Sequence, residues 1–309
     1  YSWEINKKLE ASIQLGFFKD RVNVDLSWYR NRSSNQLVGY PLPSITGFTS
    51  VQANLPALIE NTGWELALST LNFQAKNFSW RTSLNLTFPS NKLLKFDNLD
   101  LSPYRFTYKI GEPLDVAFLY KYSGIDPTNG RYSITDVNED GRYDFEDQTV
   151  IRNMGRKYYG GIQNTINIKK FNLSFFMEYV KQDSYLSDLT ITPGRFGNNT
   201  TQVLDPWRQE GDNPKVQKLS QSITSFLAYN RVLNSDLFVG DASFLRLRTL
   251  SLSYQLPNRI LSHIKVNTCT LFAHAQNLFT ITNFKGLDPQ GGKVVPPLRT
   301  ITCGIQLKL

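Results

Sequence analysis

The feature that most constrains the fold is a strict alternation of apolar and polar residues along short segments that occur in pairs. From Leu9 to Phe17 apolar residues alternate with polar ones, and after a tight turn the alternation resumes at Val22. A period of two places the apolar side chains on one face of a β-strand and the polar side chains on the other. The pair therefore predicts an antiparallel hairpin with one apolar and one polar face.

The same unit recurs along the chain. Short turns alternate with long, turn-rich connections that run over 33–60, 89–156, 182–242 and 279–297. A further strand around Val116 to Tyr122 would change the strand count. The nine predicted strands cover residues 8–17, 22–29, 64–69, 78–88, 162–168, 171–179, 244–256, 266–278 and 299–309.

This alternation of short and long connections is typical of outer-membrane barrels, which have tight periplasmic turns and long extracellular loops. A soluble sandwich of this size would have shorter loops. The mean hydropathy of −0.33 fits half-apolar strands, and no segment has the roughly 18 apolar residues that a membrane helix needs. The sequence therefore predicts an all-β fold, an antiparallel transmembrane β-barrel with its apolar face toward lipid and its polar face toward water.

The predicted topology also indicates whether residues 1–309 could form a complete barrel. If the short turns are periplasmic, the first strand runs inward and Tyr1 lies on the outer side, whereas a complete barrel would begin in the periplasm. The chain also opens inside a patterned segment, without an initiator Met or a signal-peptide core. We therefore expect residues 1–309 to be the C-terminal portion of a longer barrel.

Composition argues against several functions. Lys and Arg (34) exceed Asp and Glu (26), but they are scattered singly, which argues against a nucleic-acid partner. Cys269 and Cys303 lack the spacing of a zinc site, and we interpret them as small apolar filler on lipid-facing strands, with a cross-strand disulfide as the alternative. His263 and His274 belong to no catalytic motif, so we expect no enzyme.

The segment "DVNEDGRYDFED" matches the register of an EF-hand calcium loop, with Gly141 at the sharp turn. Calcium takes six to eight oxygen ligands, and carboxylates crowded in one loop repel each other unless a cation lies among them. Position 7 of such a loop donates its backbone carbonyl. The predicted Ca²⁺ ligands are Asp136, Asn138, Asp140, Arg142, Asp144 and Asp147.

The flanks of this loop contain Pro and Gly or approach a strand, so a helix-flanked calcium sensor is not expected. We interpret the loop as a structural calcium site that orders a long extracellular connection. Asp147 is shorter than the usual Glu at position 12, which predicts weaker binding. The alternative is an acidic turn without metal.

Aromatic residues fall into two groups. Trp28, Trp80 and Phe88 lie on the apolar register and are predicted to face lipid. The others lie in the long connections, where they either stack on sugar rings or a partner protein, or pack small local cores. This second group comprises Trp207, Tyr104, Phe106 and Tyr108.

An ordered series of segments resembles the SusC/RagA-type TonB-linked outer-membrane transporters of Bacteroidetes. The series covers nearly the whole chain. It includes "PLPSITGFTSVQANLPALIENTGWELALST", "GEPLDVAFLYKYSGI", the acidic loop, "DASFLRLRTLSLSYQLP" and "HAQNLFTITNFKGLDPQ".

The resemblance implies the C-terminal part of a 22-stranded TonB-dependent barrel in the bacterial outer membrane. It implies uptake of an oligosaccharide or peptide with a SusD-like surface lipoprotein, driven by the TonB complex through an N-terminal plug domain that this chain lacks. It also implies contacts with lipid and lipopolysaccharide, and a possible dimer of the transporter complex. Such barrels commonly end in an aromatic residue, whereas this chain ends in Leu309. The alternative function is a secreted soluble β-protein that binds glycans through a calcium-ordered loop.

Overall fold

A computed structural model describes residues 2–42, 44–186, 192–195, 197–199, 201–261, 266–291 and 295–308. Eighteen strands and two helices fall within these ranges. In chain order they are β1 (Ile5–Phe17), β2 (Val22–Ser34), β3 (Leu37–Pro41), β4 (Ser50–Asn54), β5 (Ala57–Ala75), β6 (Phe78–Phe96), β7 (Val116–Leu119), β8 (Tyr122–Ile125), β9 (Tyr132–Ile134), β10 (Val150–Asn153), β11 (Tyr158–Ile168), β12 (Phe171–Lys181), β13 (Asp183–Tyr185), α1 (Ile223–Leu233), β14 (Val239–Asp241), β15 (Phe244–Gln255), α2 (Asn258–Leu261), β16 (Thr268–Gln276), β17 (Thr280–Thr282) and β18 (Thr300–Lys308).

Nine long strands form one antiparallel sheet in the order β1-β2-β5-β6-β11-β12-β15-β16-β18, and β17 adds to the end of β15. These are the nine strands that the alternation predicts. The strand near Val116 is β7, which pairs with β10 in a separate small sheet. It therefore does not change the count of the large sheet, whose edges are β1 and β18.

We call the strand ends joined by short turns the inner end of the sheet and the opposite ends the outer end. The tight turn after β1 contains three consecutive residues with positive φ, Phe18, Lys19 and Asp20. The long connections all leave from the outer end. The predicted alternation of short and long connections is therefore present in the structure.

The strand register aligns the apolar residues of neighbouring strands on one face. Leu84 of β6, for example, lies between Leu68 of β5 and Ile162 of β11. Residues on this face are largely exposed, including Leu9 at 51% and Trp64 at 52%. The apolar faces therefore do not meet in a closed core, as the strands of a soluble sandwich would.

Strands β5 and β6 are longer than predicted, with 19 residues each. The sequence analysis ended the second of them at Phe88, just before Pro89. The ladder between β6 and β11 stops at Thr87, so Pro89 lies where β6 pairs with β5 alone. A proline is tolerated at such a position because one side of the strand needs no hydrogen-bond donor.

The long connections contain more structure than the sequence analysis expected. Helix α1 was not predicted; it begins after Ser222, whose hydroxyl accepts a hydrogen bond from the backbone N–H of Ser225. Two buried clusters stabilise the connections. The hairpin cluster comprises Leu55, Ala57, Ile59, Leu93, Phe96 and Leu99. The helix cluster comprises Tyr120, Tyr132, Ile134, Val216, Tyr229, Val232 and Phe238.

In the part of the chain that the structure describes, no helix is both long and apolar enough to cross a membrane.

Candidate functional site

The polar face of the large sheet carries amide, hydroxyl and a few charged side chains. Neighbouring strands are linked across this face by side-chain hydrogen bonds, such as Gln14 to Asp25 at 2.9 Å and Gln163 to Ser174 at 2.6 Å. Near the inner end the face borders an open cavity of about 680 Å³. The arrangement is that of a polar wall whose side chains hydrogen-bond to one another across the strands.

Two aromatic rings lie flat along this polar face over glycines. A Cβ atom at Gly63 would come within 2.6 Å of the Tyr29 ring, and one at Gly161 within 2.3 Å of the Phe176 ring. Only glycine leaves room for a ring to lie against the strand. The two rings therefore cover the backbone and do not project into the space beside the wall.

An arginine cluster lies at the outer end of the polar face. The guanidinium of Arg246 is 2.5 Å from the carboxylate of Asp288, and both side chains are almost fully buried. Arg248 is 2.5 Å from Glu178, and Gln290 accepts hydrogen bonds from both arginines. The connection between β17 and β18 is thereby fixed to the strands of the wall.

The arginine cluster was missed in the sequence analysis. A signal was present, because Arg246 and Arg248 are two basic residues at alternate positions of a predicted strand. Their partners could not be assigned, since Asp288 lies 42 residues further along the chain.

Aromatic side chains on the apolar face lie at two levels. Toward the outer end, Trp28 pairs with Trp64, which pairs with Phe88. The ring of Tyr158 continues this group at 5.6 Å from Phe88. Aromatic residues concentrate where a membrane wall crosses the interface between hydrocarbon and water.

The second level lies toward the inner end, where the rings of Phe73 and Phe78 are 5.3 Å apart and Trp80 is 40% exposed. Phe78 and Phe88 are ten residues apart on β6, about 34 Å along the strand. A tilt of about 35–45° reduces this to roughly 24–28 Å, which matches the apolar band of about 25 Å in outer-membrane barrels. The predicted lipid-facing positions of Trp80 and Phe88 fit these two levels.

Asn164 is a polar residue on the apolar face between the two levels, where the ladders pair it with Thr82 and Thr82 with Thr70. The side-chain oxygen of Asn164 accepts hydrogen bonds from the Trp80 indole at 2.9 Å and the Thr82 hydroxyl at 2.7 Å. Asn164 is only 7% exposed. A buried polar side chain needs such partners because it is removed from water.

The acidic loop folds around hydrogen bonds from its own backbone. Asp136 accepts from the N–H of Gly141 at 2.9 Å, and Asp140 accepts from the N–H of Arg142 at 2.8 Å. Asn138 accepts from Asp140 at 3.2 Å. Gly141 has φ of 76°, a left-handed conformation that favours glycine. The turn predicted at this position is therefore present.

The end of the acidic loop closes on its beginning. Asp147 is fully buried and accepts from the N–H groups of Val137 at 2.7 Å and Asp144 at 3.1 Å. Asp144 in turn accepts from the N–H of Glu146 at 2.8 Å and begins a short 3₁₀ turn. The first and last predicted ligand positions are thus held together by the loop backbone.

The acidic loop fits a cation in its donor chemistry. One carboxylate oxygen of Asp136 is buried and has no hydrogen-bond partner among the described residues. An unpaired buried carboxylate oxygen is costly unless a cation or another donor satisfies it. However, no group of three or more acidic, His or Cys side chains in the described residues is arranged closely enough to hold a metal ion. The hydrogen bonds show that the loop is already folded. Its carboxylates are too far apart in the structure to surround one ion, so the calcium site remains a prediction.

The aromatic residues of the connections mostly pack locally. The rings of Tyr104 and Tyr108 stack at 5.5 Å beside the hairpin cluster. The Trp207 ring covers Gly130, where a Cβ would approach it to 2.2 Å. Phe106 contacts the Phe145 ring of the acidic loop at 4.3 Å yet stays 47% exposed. Of the four, Phe106 is the most exposed, and the guanidinium of Arg105 also lies over its ring at 4.3 Å from the centroid.

The cysteine and histidine side chains form no catalytic arrangement in the described residues. Both thiols are free: Cys269 pairs with Leu307 and Cys303 with Ala273 in the ladder, so the two cysteines lie at different levels of the apolar face. His274 lies on the polar face with its ring 5.0 Å from that of Phe272. His263 and Leu309 lie outside the described residues.

Comparisons with known proteins identify the class of protein that this chain resembles. No family model matches. The chain is 24% identical to TonB-dependent receptor P3 of Formosa agariphila, over 99% of this chain and 34% of that protein. It is 24% identical to the TonB-dependent receptor SusC of Bacteroides thetaiotaomicron, over 93% of this chain and 30% of that protein. Among solved structures, the RagAB peptide transporter matches with a TM-score of 0.82 and 25% identity, over 99% of this chain and 36% of that chain.

These matches confirm the resemblance to SusC/RagA-type TonB-dependent transporters and the antiparallel barrel fold. The chain spans about a third of the length of the relatives that it matches. The relatives are receptors and transporters rather than enzymes.

Proposed function

We propose that this chain forms part of the barrel wall of a TonB-dependent nutrient importer in the bacterial outer membrane. One observation carries the proposal: a single antiparallel sheet has an exposed apolar face bounded by two aromatic levels and a polar face on the other side. Such a sheet suits hydrocarbon on one side and water on the other. The similarity to TonB-dependent receptors supports the same function.

The import proposal includes partners. The relatives SusC and RagAB support a SusD-like lipoprotein at the outer end of the sheet and a TonB complex that acts through a plug domain. Oligosaccharides and peptides are the proposed nutrients, and the apolar face would contact lipid and lipopolysaccharide. Pairing of two transporters belongs to the same proposal.

The natural Cys303 tests which face meets lipid. It is exposed on the apolar face of β18, next to Thr302 on the polar face. In cells, a charged water-soluble maleimide should not label Cys303, because hydrocarbon excludes the reagent. The matched control replaces Cys303 by Ala and introduces Thr302→Cys, which should be labelled through the lumen. Equal labelling of both positions would refute the membrane assignment.

Growth assays test import. Cells that lack the full-length protein should grow more slowly when one oligosaccharide or peptide is the sole carbon or nitrogen source, and normally on glucose with ammonium. Expression of the protein from a plasmid should restore growth. Normal growth on a broad panel of both polymer classes would argue against import.

We also propose that the acidic loop binds a structural Ca²⁺. The complete ligand register, the preformed turn at Gly141 and the unpaired buried oxygen of Asp136 support this proposal. The loop would supply Asp136, Asn138, Asp140, Asp144 and Asp147, with the carbonyl of Arg142. Calcium would neutralise four carboxylates and order the connection between β9 and β10.

Calorimetric titration of the folded, detergent-solubilised transporter with Ca²⁺ tests the loop. Asp136→Asn should abolish the binding heat, because it removes a charged ligand at the first position. Glu139→Gln is the matched control: it removes one charge from the same loop at a position that is not a ligand, so its binding heat should persist. If titration of the wild-type protein with Ca²⁺ releases or absorbs no heat of binding, the calcium proposal is refuted and the import proposal is unaffected.

A further inference from the structure

A small, half-enclosed pocket of about 250 Å³ lies between β9 and α1, away from the sheet. Its wall includes Arg131 and Tyr132 from the start of β9, Arg231 from the end of α1, and Tyr143 from the acidic loop. Drug-sized ligands fill sites of roughly 300 Å³ or more. The pocket therefore suits one end group of a larger molecule and not a whole oligomer.

Arg131 is the first feature that points to a ligand. Its Nε atom is buried and has no hydrogen-bond partner in the described residues, and its guanidinium forms no ion pair with any of them. A buried guanidinium donor without an acceptor is costly. Tyr132 also lines the pocket and packs in the helix cluster, and its buried hydroxyl has no hydrogen-bond partner among the described residues.

Arg231 adds a second positive charge to the pocket. Its guanidinium lies over the Tyr143 ring at 4.5 Å from the centroid. The planar fork of donors on a guanidinium suits planar, two-oxygen acceptors. Like Arg131, it forms no ion pair with a described residue.

The acidic group in the pocket wall is already engaged. The carboxylate of Asp126 accepts hydrogen bonds from the backbone N–H and hydroxyl of Thr128 and from the Asn129 side chain. The hydrogen bonds from Thr128 lower the pKa of Asp126, so this carboxylate stays ionised. With two guanidinium groups and one occupied carboxylate, the pocket keeps a net positive charge and free donors.

We propose that this pocket binds the carboxylate of a substrate's end residue, with Arg131 and Arg231 as its charged donors. The carboxylate could belong to a terminal uronic acid of a glycan or to the C-terminus of a peptide. The proposal rests on the proposed import function only in calling the ligand a substrate. Binding itself can be tested without transport.

Calorimetric titration of the full-length transporter in detergent tests the pocket with two matched pairs of probes. Galacturonate is compared with galactose, and alanyl-alanine with its C-terminal amide. We expect binding of at least one charged probe and no binding of its neutral counterpart. Binding of galacturonate indicates a glycan ligand, and binding of the free dipeptide indicates a peptide ligand.

Arg131→Gln should weaken binding of the charged probe by about tenfold or more, because it removes a charge-assisted hydrogen bond. Arg156→Gln is the control, since this exposed arginine lies outside the pocket and its loss should leave the affinity unchanged. To check that both variants fold, the heat-dependent shift of their bands on a gel is compared with that of the wild type. No binding of either charged probe, or equal loss in both variants, would overturn the proposal. Growth on polymers would then still test import separately.

Discussion

A charge placed on either face of β6 should show which face meets hydrocarbon. Leu84 lies between the two aromatic levels, about 14 Å along the strand from Phe88 and about 20 Å from Phe78. Its neighbours across the ladders, Leu68 and Ile162, are also apolar. Leu84→Arg therefore places a guanidinium near the midplane of the apolar band.

The expected cost follows from this depth. An arginine on the lipid face at the midplane destabilises a barrel by about 2–4 kcal/mol. Since about 1.4 kcal/mol changes an equilibrium tenfold, the ratio of folded to unfolded protein should fall roughly 30- to 700-fold. The adjacent Ser83 is exposed on the polar face and borders the open cavity, so Ser83→Arg should cost less than about 1 kcal/mol.

Urea titration of the full-length protein in lipid vesicles can measure both variants. Folded barrel is quantified from the heat-dependent shift of its band on a gel, and the midpoint is compared with that of the wild type. A lower midpoint for Leu84→Arg alone is the expected result. Equal midpoints, or a larger loss for Ser83→Arg, would show that the faces are assigned the wrong way round or that the sheet lies outside the membrane.

Three further predictions concern single polar groups. Asp288→Asn leaves the buried Arg246 guanidinium unpaired at a cost of about 3–5 kcal/mol, so hydrogen exchange in the connection before β18 should accelerate while exchange in β15 does not. Burial raises the pKa of Asp241, but the hydrogen bonds from Lys181 and Ser243, together with the charge of Lys181, outweigh burial and lower this pKa to about 2. The stabilisation by Asp241 is therefore complete above its unfolded pKa of about 4 and lost as the pH falls through about 2, so the protection of the β14 amides against hydrogen exchange should fall in acid unless Asp241 is replaced by Asn. Asn164→Ala leaves the Trp80 and Thr82 donors unpaired and should lower the free energy of unfolding, measured by urea titration, by about 1–3 kcal/mol, which Asn164→Asp, keeping the acceptor but adding a charge, should not restore.

The alternation predicted the nine wall strands because a two-sided environment imposes a period of two on every strand that crosses it. Where a strand no longer has an apolar and a polar side, the alternation of apolar and polar residues ends as well. The outer part of β6 beyond Phe88 was therefore missed, since its residues pack in a local cluster and no longer separate lipid from water.

Helix α1 was missed for a related reason. It has only 11 residues and lies inside a long polar connection, where Ser222 was the main local sign of a helix start. Its stability comes from packing against β9, which no local pattern reveals. The partner of Arg246 was hidden similarly, because pairing between distant segments depends on the folded arrangement.

The acidic loop was the site feature that the sequence predicted best. Its backbone hydrogen bonds depend on Asp and Asn at fixed spacings and on Gly141, all within 12 residues, so local sequence determines the local turn. The arrangement of its carboxylates around an ion depends on the ion itself, and the calcium assignment remains a prediction.

The unusual length of β5 and β6 determines how far this hairpin extends beyond the outer aromatic level. From Phe88 to Phe96, β6 continues for eight residues, about 27 Å along the strand and roughly 19–22 Å above the outer aromatic level at the same tilt. The ladder with β5 continues to Phe96 with a single bulge in this part, so the extension is a rigid hairpin and not a flexible loop. In the proposed membrane placement, a molecule docked on the tip of this extension would lie about two nanometres from the hydrocarbon, and removing two residue pairs would lower it by about 5 Å.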